Sequence, residues 1–456
     1  MKILQIVYYF PPMGGAGVQR GLKFARHLPL HGVHPVVLAG DDPHYLRDES
    51  LLAELPPALE VHRVRHSPWL ARMAARRRAG AAPGADTSSS PTADAPAAAT
   101  VLRARLRDAA LRTVHAMQWP DDAATWARRA LPVALDIVRR HAAAGTPIEA
   151  VFSSAPPPSA HGLGERVARA TGLPWIADHR DLWTDNPAYD APAWRAALDR
   201  RLERRWLLNA DAVVTVTPSW RARLAALRPP GASTVFIPNG YDEDDFASLP
   251  PPARDPGLFT LVHTGTFYGP RSPAGLLDGI ARYLDAAPAA GRPRLQVRLV
   301  GSMGSRFADT LADFRRRHPG VVQLVPYLPH REALVELQGA DALVLVVGGG
   351  QGDAVSGWLP GKIFEYLRAG RPILALGDPA GDAAALVERH GRGRIVAPDD
   401  AAGIASAVDA LVRDGAGATI GRNAGADSVQ VFERRVLAGQ LADVLRDAVA
   451  RRRRAR

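Results

Sequence analysis

The run from Pro360 to Ala375 (Pro-Gly-Lys-Ile-Phe-Glu-Tyr-Leu-Arg-Ala-Gly-Arg-Pro-Ile-Leu-Ala) brings together the parts of an anion site. Pro360 suits a helix start, Gly370 its end, and Pro372 the entry to a buried strand. Lys362 and Glu365 stand three residues apart, so both side chains reach one side of the helix. A lysine at a helix N-terminus suits a phosphate, and the carboxylate can accept hydrogen bonds from vicinal hydroxyls. Taken alone, the segment reads first as a plain helix with one internal ion pair.

Three other segments carry comparable chemistry. Gly14-Gly15-Ala16-Gly17 lies between an apolar run and a helical pattern. Its glycines allow close backbone approach, and helix N-terminal amides favour anions. No dinucleotide fingerprint can be written there, and the second strand is expected to end at Leu38 without an acid. Asp178-His179-Arg180-Asp181-Leu182-Trp183 follows a buried strand directly. Consecutive ionisable residues at a strand's carboxyl end are costly unless they face a polar cleft; a salt-bridge cluster capping the sheet is the alternative. Gly265-Thr266-Phe267-Tyr268-Gly269-Pro270-Arg271 joins a glycine loop to a cation, which suits a diphosphate. A solvated arginine is the plainer reading.

The elements that must position these loops follow from periodicity. Strands are expected at 2–8, 33–38, 150–153, 175–178 and 212–216, then at 259–263, 296–300, 322–325, 342–347 and 373–376. Helical segments separate them, with Val18, Leu22, Ala25 and Leu28 setting the first. Strands alternating with helices predict an α/β protein with parallel sheets in two Rossmann-like halves. In such sheets ligands sit beyond the carboxyl ends of the strands, where all four segments fall. The expected domains are residues 1–237, 238–430 and a C-terminal helix and basic tail, 431–456, packing back toward the first. A basic insert, 67–126, interrupts the first domain. Within it, 79–100 is expected to be disordered and 101–117 to form an arginine-rich helix.

Bulk properties narrow the classes. A chain of 456 residues is too long for one ordinary core. Cysteine is absent, which excludes disulfides and thiolate metal sites and favours a reducing, cytoplasmic location. No metal site is expected, since neither H-E-x-x-H nor a suitably placed D-x-D occurs. Asp242-Glu243-Asp244-Asp245 reads as a solvated linker. No apolar run reaches the ~20 residues that span a bilayer. The net charge of +11 suits phosphorylated substrates or anionic lipid. Without a nucleic-acid-binding signature, nucleic acid is not an expected partner. The segments 101–117 and 451–456 offer a surface for peripheral contact with the inner face of the plasma membrane.

Taken together, the opening to Gly17-Val18-Gln19-Arg20, Ser153 to Pro158, Gly172 to Pro187, Pro238-Asn239-Gly240, Val300-Gly301-Ser302, Tyr327-Leu328-Pro329 and Pro360 to Ala375 resemble family 4 retaining glycosyltransferases. The resemblance implies the GT-B fold, two Rossmann-like domains with the active site in the cleft between them, and is nearest to enzymes of bacterial surface polysaccharides. It implies a nucleoside-diphosphate-sugar donor, UDP or GDP, a glycan, lipid-linked or small-molecule acceptor, no cofactor, and transfer with retention of configuration. Donor contacts are implied at Gly14, Gly15, Gly265, Thr266, Arg271, Gly301, Tyr327, Lys362, Ile363 and Glu365. Acceptor contacts are implied at Gly17, Arg20 and His161, and catalytic roles at His179, Arg180 and Asp181. Arg271 stands where the family has a pyrophosphate-binding lysine, while Thr266 replaces an arginine. Glu365 matches the second acid of the E-x7-E motif, and Gly357 stands in place of the first. A sugar-nucleotide epimerase of the same fold and a non-catalytic nucleotide-binding protein are the alternatives.

Overall fold

The computed structural model describes residues 1–66, 118–247, 249–250, 255, 257–267, 271–286, 293–348, 356–414 and 426–455. The expected disordered stretch 79–100, the expected helix 101–117 and residues Tyr268 to Pro270 lie outside them. The chain forms two compact units. The first comprises Met1–Thr215, Leu224–Val235 and Ala438–Arg456; the second comprises Val216–Arg223 and Phe236–Leu437. The short stretch 216–223, ascribed from sequence to the first domain, therefore groups with the second.

In the first unit, β1 (Lys2–Val7), α1 (Ala16–His27), β2 (His34–Asp41) and β3 (Glu60–Arg65) precede α2 (Ala124–Ala143). Then come β4 (Ile148–Ala155), α3 (Ser159–Thr171), β5 (Trp175–His179), α4 (Ala193–Asn209), β6 (Ala212–Thr215), α5 (Pro218–Ala226), whose residues up to Arg223 group with the second unit, and β7 (Ser233–Phe236). The sheet order is β3-β2-β1-β4-β5-β6-β7, parallel from β3 through β6. Its inner strands are buried on both faces, which is why they read as continuous apolar runs. Val18, Leu22 and Ala25 of α1 pack on Val7, Val37 and Ala39. α2 starts at Ala124, inside the span expected as an insert, because Trp126, Ala130, Ala134 and Ile137 bury one helical face. The order of strands reverses between β1 and β4, so the loops after those strands part and leave a crevice.

In the second unit, α6 (Glu243–Phe246), β8 (Leu258–Thr264), α7 (Ala274–Ala286), β9 (Arg294–Val300), α8 (Ala308–Arg317), β10 (Val322–Val325) and α9 (His330–Gly339) come first. β11 (Ala342–Val346), α10 (Lys362–Ala369), β12 (Ile373–Leu376), α11 (Asp382–Arg389), β13 (Gly393–Val396) and α12 (Ala401–Asp414) follow; α13 (Arg434–Arg454) comes after them and belongs to the first unit from Ala438 onward. The sheet is wholly parallel, in the order β10-β9-β8-β11-β12-β13. Here the reversal falls between β8 and β11. The acidic run at 242–245 is structural rather than a bare linker. Asp242 caps α6 through the Asp244 amide, Glu243 accepts from Arg368 Nε at 2.7 Å, and Asp244 pairs with Arg435.

Candidate functional site

The loops at the second unit's switch point converge. Gly265 follows β8 with φ of 130°, and its amide donates to Val300 O at 2.7 Å. Lys362, the first residue of α10, donates through Nζ to Thr264 O and lies directly over Gly265. A Cβ added at Gly265 would stand 2.1 Å from that nitrogen, so only glycine leaves room for the lysine. Gly301, after β9, has φ of 124°, and a Cβ there would meet Gly265 O at 2.6 Å. Arg271 spans the parted strands, donating from Nε to Val347 O at 3.2 Å and lying over the Trp358 ring at 5.6 Å. Two cations and close-packed glycine backbone thus share one crevice.

Burial pushes the Lys362 ammonium down to about 8, and the Arg271 guanidinium adds to the shift, while Glu365 opposes it. Glu365 offsets the cationic crowding only in part, and a bound anion would offset it further. Glu365 projects from the same helix, its Oε1 accepting from His330 Nε2 at 2.9 Å; His330 Nδ1 lies 4.0 Å from Asp245. The second oxygen of Glu365 retains acceptor capacity for hydroxyls. Tyr366 OH accepts from the Thr264 amide at 2.9 Å and so tethers α10 to the end of β8. Burial raises this phenol to about 12, keeping it a neutral hydroxyl.

Sequence reasoning missed His263, His330 and Tyr366. His263 is buried in β8, and its Nδ1–H donates to Val344 O at 2.9 Å. That bond fixes the tautomer and leaves Nε2 a buried acceptor with no hydrogen-bond partner among the described residues. Burial, then the Lys362 and Arg271 charges, hold the ring neutral. A histidine closing an otherwise apolar strand was the available signal. Of the other expected donor residues, Thr266 is exposed, Tyr327 is 69% exposed, and the Ile363 side chain lies wholly in the core. At Gly357 the first acid is sterically barred, since a Cβ would stand 2.2 Å from the indole nitrogen of Trp220.

The first unit gathers its expected residues less uniformly. Gly14 is buried with its amide on Leu46 O at 2.8 Å, and Gly15 has φ of 86° just before α1. Gly17 packs on Tyr9. β2 runs to Asp41, beyond the Leu38 end expected from sequence, so an acid does close it, 3.7 Å from Arg47. Arg20, expected at an acceptor, is in the interior. It is 2% exposed and grips Asp178 with contacts of 2.7 and 2.9 Å. Arg180 has its guanidinium on backbone carbonyls of Gly17, Ala155 and Pro156, tying the start of α1 to the end of β4. The Asp178–Asp181 run therefore divides, with Asp178 and Arg180 holding structure.

His161 and His179 face one another with ring centres 4.4 Å apart. Both border a hollow of about 250 Å³ that is also lined by Pro156, Asp181, Trp183 and Tyr189. Burial lowers His179 to about 4 and takes His161 well below its usual range, so both rings are neutral near pH 7. His161 Nδ1 lies 2.9 Å from Ser153 Oγ, which also accepts from Trp175 Nε1 at 2.8 Å. Among the described residues no cluster of three or more histidine or acidic side chains could hold a metal ion.

No family model matches the chain, and no curated protein matches it. Solved structures do. A sucrose-phosphate synthase from Thermosynechococcus elongatus is similar over 99% of this chain and 100% of that one, at 17% identity and a TM-score of 0.61. A glycosyltransferase from Rickettsia africae is similar over 98% of each chain, at 13% identity and a TM-score of 0.63. HepE from Anabaena, in complex with UDP and glucose, is similar over 97% of this chain and 99% of that one, at 13% identity and a TM-score of 0.58. Likeness at this identity establishes the fold, which is GT-B, with two Rossmann-like units built on parallel sheets.

Proposed function

We propose that the protein is a glycosyltransferase of the retaining, family 4 type. It moves a sugar from a UDP- or GDP-linked donor to a glycan, lipid-linked or small-molecule acceptor without a metal or other cofactor. The observation that carries this reading is Lys362 stacked over Gly265 beside Arg271, at the switch point of a parallel sheet. These groups would hold the donor's diphosphate, and the free oxygen of Glu365 would hold the ribose hydroxyls. The fold shared with HepE, solved with UDP and glucose, supports the same placement.

In the reaction the acceptor hydroxyl attacks the anomeric carbon on the face from which the diphosphate departs. A diphosphate oxygen takes the hydroxyl's proton, and the anomeric carbon–oxygen bond breaks toward the diphosphate. Lys362 and Arg271 stabilise the negative charge that grows on the leaving group, where prearranged cations act most strongly. The neutral His161 and His179 border the acceptor's hollow, beside Asp181. The first unit serves the acceptor and the second the donor.

The test is calorimetric titration of UDP and GDP into the full chain and its Lys362→Ala and Glu365→Ala variants. Affinity is expected to fall about tenfold, or ~1.4 kcal/mol, in each; unchanged affinity rejects the site. Release of nucleoside diphosphate from a donor sugar only when an acceptor is present identifies a transferase. Release without acceptor, or interconversion of the donor sugar, identifies an epimerase, and tight binding without turnover a nucleotide-binding protein.

A further inference from the structure

α4 presents an outer face that mixes exposed apolar side chains with arginines. Its exposed positions are Ala193, Trp194, Ala197, Leu198, Arg200, Arg201, Arg204, Arg205, Leu208 and Asn209, while both of its acids, Asp199 and Glu203, are buried. At 100° per residue, Trp194, Leu198, Arg201, Arg205 and Leu208 form one stripe about 21 Å long. Trp194 is 58% exposed, Leu198 41% and Leu208 47%, so the stripe gathers three large apolar side chains on one face.

The buried acids explain how the face stays free of negative charge. Asp199 is held by Arg195, Trp119 and Tyr189, and Glu203 by Thr184. Arg205 reaches Glu165, whereas Arg201 and Arg204 make no ion pair among the described residues. At the C-terminal end of the helix the same mixture lines a hollow of about 420 Å³, formed by Arg204, Leu208, Leu227, Arg228 and Pro229. Leu227 is 42% exposed, which extends the apolar stripe past the helix.

We propose that this face of α4 docks on an anionic lipid bilayer. An exposed tryptophan with leucines buries into the headgroup boundary, and arginines beside them pair with lipid phosphates. Interleaved apolar side chains favour a bilayer over nucleic acid, whose backbone offers cations no apolar layer. The tail fits the role less well, because Arg453 donates to Glu149 at 2.6 Å and Arg452 lies 3.7 Å from Asp211. This inference is independent of the transferase reading, since none of these residues belongs to the Lys362 site.

The test is co-flotation of the full chain with phosphatidylcholine vesicles, with and without phosphatidylglycerol, at low and moderate salt. Binding is expected only with the anionic lipid, weakening with salt. The pair Arg201→Glu with Arg204→Glu should lower partitioning tenfold or more, and Trp194→Ala with Leu198→Ala should lower it severalfold. Melting temperature and UDP affinity should stay unchanged in both. Wild-type partitioning into neither vesicle, or equally into both, overturns the proposal. So does wild-type binding by the α4 variants, or loss only when Arg451 to Arg454 are replaced. A chain that ignores vesicles but binds an RNA duplex through Arg201 and Arg204 overturns it in favour of nucleic acid.

Discussion

A lysine crowded by a guanidinium and shielded from water gives up its proton more readily, and Lys362 at about 8 is in that position. Its titration can therefore be read in ligand binding. Below about 8 the ammonium is present in the free protein; above it, a bound diphosphate must first recover the proton. Affinity for UDP should thus weaken as pH rises from 7 to 9, approaching tenfold per unit at the alkaline end. Lys362→Arg retains its charge and should flatten the profile, and calorimetry across that range decides the matter. Gly265 offers a second residue-scale prediction. In Gly265→Ala the new methyl strikes the lysine nitrogen and must tolerate a φ of 130°. Strain of about 1–3 kcal/mol should appear in urea denaturation, together with at least a tenfold loss of UDP affinity. Loss of stability with unchanged affinity would mean that Lys362 does not meet the ligand.

Elements were legible in the sequence where burial is complete. β1, β4, β5, β8, β11 and β12 lie inside their sheets; β11 and β12 read as uninterrupted apolar runs, and the others as mostly apolar runs broken by a few polar residues such as Gln5 and Thr260. The strands missed, β3, β7 and β13, are all at sheet edges, and none of their residues is fully buried. Glu60-Val61-His62-Arg63-Val64-Arg65 has four polar residues of six, and its two valines, three apart, do not follow the period of two that marks a strand, so it passes for a loop. The site was legible to a similar degree. Lys362 and Glu365 stand out because helical spacing brings them together. His263 and Trp220 act on residues remote in sequence, so only the folded sheet shows their part. The acidic-basic run after β5 was visible, but its division was not, because Arg20 comes from α1. That division can be measured. Arg20→Ala leaves Asp178 buried with only the Ser154 hydroxyl at 2.7 Å, and should cost about 3–5 kcal/mol in chemical denaturation. Replacing both as Arg20→Met and Asp178→Leu should restore most of it. A cost below about 1 kcal/mol would show the pair to be dispensable.

At the scale of the molecule, the polypeptide leaves the first unit near residue 235 and comes back to it at Ala438. From there, α13 supplies Ala438, Leu441, Ala442, Leu445 and Ala448 to the interior, each fully buried. Arg446 donates to His31 O, and Gly439 leaves room for the His31 ring, which a Cβ would approach to 2.9 Å. α13 is thus part of the first unit's core, although it lies some two hundred residues beyond the rest of that unit in sequence. Removing buried leucines leaves cavities that the surroundings fill only in part, at about 2–5 kcal/mol each. Leu441→Ala and Leu445→Ala should each lower stability by that amount. Truncation after Leu437 should expose the apolar groove and destabilise residues 1–235 while sparing 236–437. Hydrogen exchange distinguishes the outcomes. Faster exchange confined to β1, α1 and neighbouring segments supports a shared core, and uniform exchange across both units would show that α13 stabilises the chain in some other way.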